Sequence, residues 1–368
     1  MKVSLLKKMM SLTFVIPHQY GFIPSDQERF VAEKKYRKTK WVIKFIKRYF
    51  FKKVLLDLMT RGNELEGINA EHKKILWINL SAPSLGDSLM DLSPRILLQN
   101  RDLVLFTDKK NIALYEKDEF FNQVCCDPHE LISMVGEKNK FDLVICDSFS
   151  PKVVLKKFLL ARNTPYVSLY RFINGFDVDR TLFSFYRMSE LLSFEKSKLN
   201  AIQVRPYLSL PIEDGLEIDT DFAIAIGGEW DYRTYDKWPN VIRHLLSKGY
   251  SCKLVGSRNG EDMARKLEGL FPQVENLVGK LDLLETILQI NLCKYFIGAD
   301  GGLWHCAASL SKPSVVLFAD LRLKDALGRQ CVRVTKDTKC EYVYDDHSVS
   351  NIKTDSVINA IEKLVVAH

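Results

Sequence analysis

The stretch Tyr295–Phe318, YFIGADGGLWHCAASLSKPSVVLF, decides how this chain is read. Tyr295–Gly298 and Ser314–Phe318 are short apolar runs of strand length, each bounded by turn residues. Between them stand Asp300, the pair Gly301–Gly302, and a run of small residues that predicts a helix from Gly302 to Leu310. A strand, a turn, a helix and a second strand form the repeating unit of a parallel sheet, because parallel neighbours need a crossover. The turn also carries chemistry. Two glycines leave backbone N–H groups uncovered at the positive end of a helix dipole, an arrangement suited to phosphate. His305, on the first helical turn, is a candidate donor to a phosphate or sugar oxygen. The alternative is a glycine pair for close strand–helix packing and a hydrogen-bonded core histidine. The stretch is neither a Walker loop, since no G-K-[ST] follows, nor G-x-G-x-x-G.

The same alternation extends in both directions. Upstream, Phe222–Ile226 reads as a strand before Gly227–Gly228, Trp238–Lys248 as a helix, Cys252–Val255 as a strand and Asp282–Leu292 as a helix. The loop Gly227–Pro239 crowds Arg233, Thr234 and Lys237 after a strand, where cations and a hydroxyl suit a diphosphate. An ordinary polar loop opening a helix at Trp238–Pro239 is the plainer reading. Asp355–Val366 predicts a terminal helix. Nearer the N-terminus, Ile75–Leu80, Leu103–Thr107 and Phe141–Cys146 read as strands, with helices after the first and third. Pro206–Asp221, with its prolines and acids, reads as a linker. Two doubly wound α/β halves follow, spanning 71–210 and 211–368, with a cleft expected between them. In the first half, the segment Ser84–Pro94 places Asp87 just after a strand end. There it suits either a general base toward a substrate hydroxyl or a helix cap. Asp91, one turn on, reads as a solvated or hydrogen-bonded helix residue.

Residues 1–70 form a separate, basic extension. Within it Lys34–Lys53, KKYRKTKWVIKFIKRYFFKK, contains no acid. On a helix, Trp41, Phe45 and Tyr49 recur on one side, and Ile43, Ile46 and Phe50 widen the apolar face. Such a helix suits an anionic membrane surface, or else packs on the domain with its lysines in water. The chain of 368 residues, net charge +7, has no apolar run of about 20 residues. No transmembrane span is expected, and no A-x-A-like cleavage site marks a signal peptide. Eight cysteines without a C-x-x-C pair read as buried thiols of a cytosolic protein rather than a zinc site. No nucleic-acid fold accompanies the basic patch, so nucleic acid is not an expected partner.

Taken together, these stretches resemble glycosyltransferase family 9, the ADP-heptose:lipopolysaccharide heptosyltransferases. The resemblance rests on Leu85-Gly86-Asp87 with Pro94, on Asp300-Gly301-Gly302-Leu303-Trp304-His305 with Lys312-Pro313, and on Gly279-Lys280-Leu281-Asp282-Leu283. Trp238–Pro239 and Leu254-Val255-Gly256 correspond as well. It implies a GT-B type α/β fold of two facing Rossmann-like domains, and inverting, metal-independent transfer without a cofactor. The implied donor is ADP-heptose. The implied acceptor is the lipid A–Kdo inner core of lipopolysaccharide or lipooligosaccharide, on the cytoplasmic face of the inner membrane. Asp87 would be the catalytic base; Thr234, Lys237, Asp300, Gly301, Gly302 and His305 would hold the donor. The chain departs from the pattern at three points. Gly301 replaces a hydroxyl residue, Asp236 stands where a lysine is common, and Asn79–Pro83 lacks a basic residue. Another nucleotide sugar, a protein acceptor, or a non-catalytic binding scaffold are the competing readings.

Overall fold

The computed structural model describes residues 39–82, 84–135, 141–172, 180–193, 204–209, 217–319 and 340–367. The chain divides into two compact units between Val204 and Arg205, just ahead of the expected 210/211 boundary. Much of the expected linker, including Pro211 and Glu213–Gly215, lies outside the described residues.

The N-terminal unit holds a five-stranded parallel sheet in the order β3-β2-β1-β4-β5. Its strands are β1 (Lys74–Asn79), β2 (Asp102–Thr107), β3 (Gln123–Cys125), β4 (Leu143–Cys146) and β5 (Tyr166–Ser168). The helices of eight residues or more described here are α1 (Thr39–Phe51), α2 (Leu85–Leu92), α3 (Pro128–Val135), α4 (Pro151–Leu160) and α5 (Arg180–Leu191). β1 and β4 are buried along nearly their whole length, as strands covered by helices on both faces must be. The helix expected after the first strand is α-helical only from Leu85 to Leu92; Pro94 then helps open a 3-10 turn, Ser93–Leu98. Proline lacks the N–H that a continuing α-helix would use there.

The basic extension does not stop short of this unit. α1 runs into a π-helical turn, Lys52–Leu58, whose Leu56 is buried, and Phe51 and Leu55 pack on the N-terminal core. Residues 63–65 then lie beside β5, with Leu65 N donating to the Tyr166 carbonyl at 2.7 Å and Tyr166 N to that of Asn63 at 3.0 Å. The segment thus covers the edge of the sheet. On α1, Ile43, Ile46 and Phe50 stay 60%, 40% and 62% exposed, while Tyr49 lies 6.0 Å from Phe172. The side chains of Trp41 and Phe45, and residues 34–38, lie outside the described residues. Among the described residues no helix is long and apolar enough to cross a membrane.

The C-terminal unit holds six parallel strands in the order β11-β10-β9-β6-β7-β8. They are β6 (Thr220–Ala225), β7 (Cys252–Val255), β8 (Glu275–Asn276), β9 (Cys293–Ala299), β10 (Ser314–Ala319) and β11 (Glu341–Asp345). The helices are α6 (Trp238–Ser247), α7 (Glu261–Leu270), α8 (Leu283–Asn291), α9 (Gly302–Ser309) and α10 (Thr354–Val366). Trp238 and Pro239 open α6 as expected, with the indole buried in the core. Cys125, Cys146, Cys252, Cys293 and Cys306 are buried free thiols, Cys340 is buried, Cys126 is half-buried, and Cys331 lies outside the described residues.

Counted from their first strand, both sheets run 3-2-1-4-5, the second with a sixth strand. In each, the chain starts at the centre, winds outward one way, then returns to wind the other way. The two halves part between β1 and β4 in one unit and between β6 and β9 in the other. At such a point the connections leave in opposite directions and open a crevice at the strands' carboxyl ends.

Close approach at that edge sets one glycine. Gly256, after β7, has φ +150°, and a Cβ there would sit 2.4 Å from the Ile226 carbonyl oxygen after β6. Gly256→Ala is therefore expected to destabilise the protein by about 2 kcal/mol or more, since both backbone and contact are strained. Chemical denaturation of the purified variant measures it.

Candidate functional site

After β1, the chain enters α2 through a capping box. Ser84 Oγ accepts from Asp87 N at 3.3 Å, while Asp87 Oδ2 accepts from Ser84 N at 3.2 Å and from the Ser84 hydroxyl at 2.7 Å. Capping and a charged role are therefore not exclusive at Asp87. Its other oxygen, Oδ1, accepts from Arg180 Nη1 at 2.8 Å. Arg180 opens α5 and turns its remaining donors onto Asp91. Nη2 reaches Asp91 Oδ2 at 2.6 Å and Nε bonds Asp91 Oδ1, which also accepts from Tyr170 at 2.5 Å. Asp91 is thus hydrogen-bonded, but it is fully buried rather than solvated. Burial raises its carboxyl's proton affinity, opposed by the Arg180 guanidinium and the Tyr170 hydroxyl. The same two carboxylates hold the Arg180 guanidinium well above its ordinary range despite its burial.

The sequence offered no sign of Arg180, 93 residues from Asp87, or of Asp147. Asp147 follows β4, across the switch from β1, and is fully buried. Its Oδ2 accepts from Leu80 N at 2.9 Å and Ser81 N at 2.6 Å, fixing the loop between β1 and α2. Ser81 Oγ adds bonds to the hydroxyls of Ser148 (2.6 Å) and Ser150 (2.9 Å). Burial pushes the Asp147 carboxyl up to about 7, the loop N–H groups pulling the other way.

In the C-terminal unit, the chain leaves β9 at Asp300 and enters α9 through Gly301, which takes the cap position with extended backbone and no side-chain cap. The first intrahelical bond to Gly301 comes from His305 N at 3.2 Å, so earlier N–H groups have no helical acceptor. A Cβ on Gly301 would meet only the Ala299 carbonyl oxygen, at 3.7 Å. Close packing therefore does not impose glycine there, and the space beside the turn is open. Asp300 is buried between two cations or potential cations. Arg233 Nη2 lies 3.4 Å from Asp300 Oδ2, Arg233 Nη1 donates to the Asp300 carbonyl at 3.1 Å, and His305 Nε2 lies 3.8 Å from Oδ1. The His305 ring is buried beside Trp304, at 4.6 Å.

Of the residues expected to gather here, Asp300, Gly301, Gly302 and His305 share one strand–helix turn, and Arg233 joins them from the loop after β6. Thr234 stays in its own turn. Its hydroxyl donates to the Trp230 carbonyl at 3.3 Å, and its carbonyl accepts from Ser350 Oγ at 2.7 Å. Lys237 is engaged elsewhere: its ammonium donates to the carbonyls of Ser350 (2.6 Å) and Ile352 (3.0 Å), tying the loop to the segment before α10. Asp87 lies in the other unit, at the corresponding strand end of its own sheet.

Residues 196–335 match the family model described as glycosyltransferase family 9 (heptosyltransferase). The matched stretch, less than half of the chain, is thus similar to that family. Over 92 residues it is 28% identical to lipooligosaccharide heptosyltransferase 2 of Haemophilus influenzae, covering 22% of this chain and 27% of that protein. It is 27% identical to lipopolysaccharide heptosyltransferase 2 of Escherichia coli over 92 residues, covering 22% and 26%. The aligned stretch thus spans about a quarter of these relatives' length. Fold similarity reaches further than the residues matched by the family model. The E. coli ADP-heptose lps heptosyltransferase II structure superposes with a TM-score of 0.60 at 17% identity, covering 80% of this chain and 99% of that one. A family 9 glycosyl transferase from Veillonella parvula gives 0.60 at 15%, covering 82% and 100%. Both units therefore share the GT-B type fold, two Rossmann-like domains.

The buried Asp147 makes a pH-dependent prediction. Its folded value of about 7 lies above the ordinary 3.8, so the folded state binds the proton more tightly and stability falls as pH rises from about 4 to 7. Asp147→Asn keeps an acceptor for the loop N–H groups without the charge. Its melting temperature is expected to exceed the wild type's by a few degrees at pH 8 and to lose that margin at pH 4, as read by calorimetry.

Proposed function

We propose that this protein is an inverting glycosyltransferase that moves heptose from ADP-heptose to the lipid A–Kdo inner core of lipopolysaccharide or lipooligosaccharide, and that it requires no cofactor. The observation that carries the reading is the joint placement of chemistry and topology. Asp87 follows the first strand of its sheet, and the Asp300–His305 turn follows the fourth strand of the other. Those are the ends where Rossmann-like sheets bind ligands. The relatives' names supply the sugar and the glycolipid class.

In this reading Asp87 takes the proton of the acceptor hydroxyl as its oxygen bonds to the anomeric carbon. The bond from that carbon to the diphosphate oxygen breaks on the opposite face, and configuration inverts. The departing ADP gains charge on its β-phosphate, which the N–H groups of Gly301 and Gly302, the α9 dipole and Arg233 stabilise. His305 donates to the phosphate or the sugar, and Asp300 orients both Arg233 and His305. Lys237 and Thr234 shape the neighbouring loop from outside this donor set.

The acceptor is a membrane lipid, and α1 suits a place on the cytoplasmic face of the inner membrane. Its exposed Ile43, Ile46 and Phe50 would enter the interface while Lys44, Lys47 and Lys53 meet anionic headgroups.

Two measurements test these statements. Purified protein given ADP-heptose and a Kdo-terminated lipid A is expected to release ADP in an acceptor-dependent manner. Asp87→Ala is expected to lose about 10²–10⁴-fold in kcat, as for removal of a general base. ADP-heptose binding without release would point to another acceptor. Absence of binding would point to another nucleotide sugar or a scaffold. Separately, Ile43→Ser/Ile46→Ser/Phe50→Ser is expected to sediment less with vesicles containing phosphatidylglycerol than the wild type. Equal sedimentation would remove α1 from the membrane contact.

A further inference from the structure

Asp87 and Asp91 sit four residues apart on α2, so their carboxylates face the same side of the helix, where like charges repel. Such a pair needs a reason to point inward together, and that reason lies on α5. Arg180 spends three nitrogens on them: two on Asp91 and one on Asp87, each with hydrogen-bond geometry. Tyr170 completes the acceptor side of Asp91 and lies under the guanidinium, whose carbon is 5.5 Å from the ring centroid. Asp91 therefore has its own charge compensated twice over by fixed donors. The single Arg180 nitrogen left for Asp87 binds the oxygen that the capping box does not use.

We propose that Arg180, anchored by Asp91 and Tyr170, is the positioning residue for the Asp87 carboxylate, fixing its rotamer and its charge; this rests on the reading of Asp87 as the base. A carboxylate at a helix start is ordinarily held by its cap alone, leaving one oxygen to rotate with solvent. Here Oδ2 is tied to Ser84 and Oδ1 to Arg180, so the plane of the carboxylate is set. The anchoring also explains why Asp91 is buried at all. An unpaired buried carboxylate is costly, and a bidentate guanidinium with a tyrosine is among the few arrangements that compensate it. Among the described residues, the groups facing Asp87 are Ser84 and Asp91 from its own helix and Arg180 from α5. Tyr170 acts through Asp91, and Asp147, after β4, adds a third carboxylate that couples to Asp91 and Arg180.

The test compares full-length wild type, Arg180→Met, Arg180→Lys and Arg180→Met/Asp91→Asn. The double variant matters because Arg180→Met alone strands the buried Asp91 charge and can fail to fold, whereas the double removes that charge with its partner. With ADP-heptose and the Kdo-terminated lipid A, the folded double variant is expected to lose about 10–100-fold in kcat with donor KM changed less than about twofold. Arg180→Lys, which keeps a charge but not the fork, is expected to recover part of the rate. Full activity in the double variant would overturn the proposal, leaving Arg180 as a counter-charge to Asp91 only. A crystal structure of the double variant gives an independent readout: the Asp87 carboxylate is expected to leave the plane that Ser84 and Arg180 set. An unmoved carboxylate overturns the proposal even if no transfer occurs. A displaced carboxylate in a protein that releases no ADP supports the positioning by Arg180 and fails the transferase reading instead.

Discussion

Both candidate sites depend on the pairing of the first and fourth strands in each sheet, β1 with β4 and β6 with β9. A parallel strand cannot turn directly into its neighbour; a crossover must carry the chain back to the same end of the sheet. When successive crossovers run one way and then the other, the loops at the centre diverge at the carboxyl ends of the strands. Asp87 and Asp147 occupy this position in one unit, Gly227–Gly228 and Asp300–Gly301 in the other. The apolar runs of the central strands are thus a functional requirement as well as a core. Burial of Leu76, Ile78, Val144 and Cys146 on one sheet, and of Ile224, Ile297 and Leu317 on the other, fixes the strand ends from which the site residues project.

The two candidate sites are built from different materials. The Asp300 turn relies on backbone: a glycine without a cap, a short helix and its dipole, with Arg233 and His305 arranged around one carboxylate. Such a site tolerates substitution of its side chains better than of its path. The Gly301 replacement of a hydroxyl residue fits that logic, because the N–H groups and the open space at 301 survive it. The Asp87 site relies on side chains. Its carboxylate gains orientation from a serine cap and from a buried ion pair, and its loop is pinned by Asp147, whose burial has a cost that grows above acidic pH. Geometry held by charge is more sensitive to single substitutions than geometry held by backbone.

The central strands were legible because strands covered on both faces read as continuous apolar runs. The four strands that the pattern missed are all edges: β3, β5, β8 and β11. Two or three residues long, as in β3, β5 and β8, they are too brief to show a period, and β11, Glu341–Asp345, alternates half-buried with exposed residues. Site residues followed the same rule. Those adjacent in sequence to a strand end and a helix start, such as Asp87 and the Asp300–His305 turn, announced themselves through local grammar. Arg180 and Asp147 did not, since their meaning comes from partners tens of residues away. Lys237 shows what local reading leaves out. A lysine in a polar loop beside other candidates has a charge that the backbone also wants, and two carbonyls at 350 and 352 hold it.

The contrast between Lys237 and Arg233 carries the argument one step further. An ammonium is a point charge that can satisfy several carbonyls from one position, which suits it to knitting a loop to the C-terminal helix. A guanidinium has a planar fork that can hold a carbonyl and a carboxylate of one residue together. Arg233 uses that fork on Asp300, so the cation nearest the uncapped α9 N-terminus is oriented by the same residue that ends β9. Two residues before the Trp-Pro pair stands Asp236, and the positive charge beside the turn belongs to Arg233.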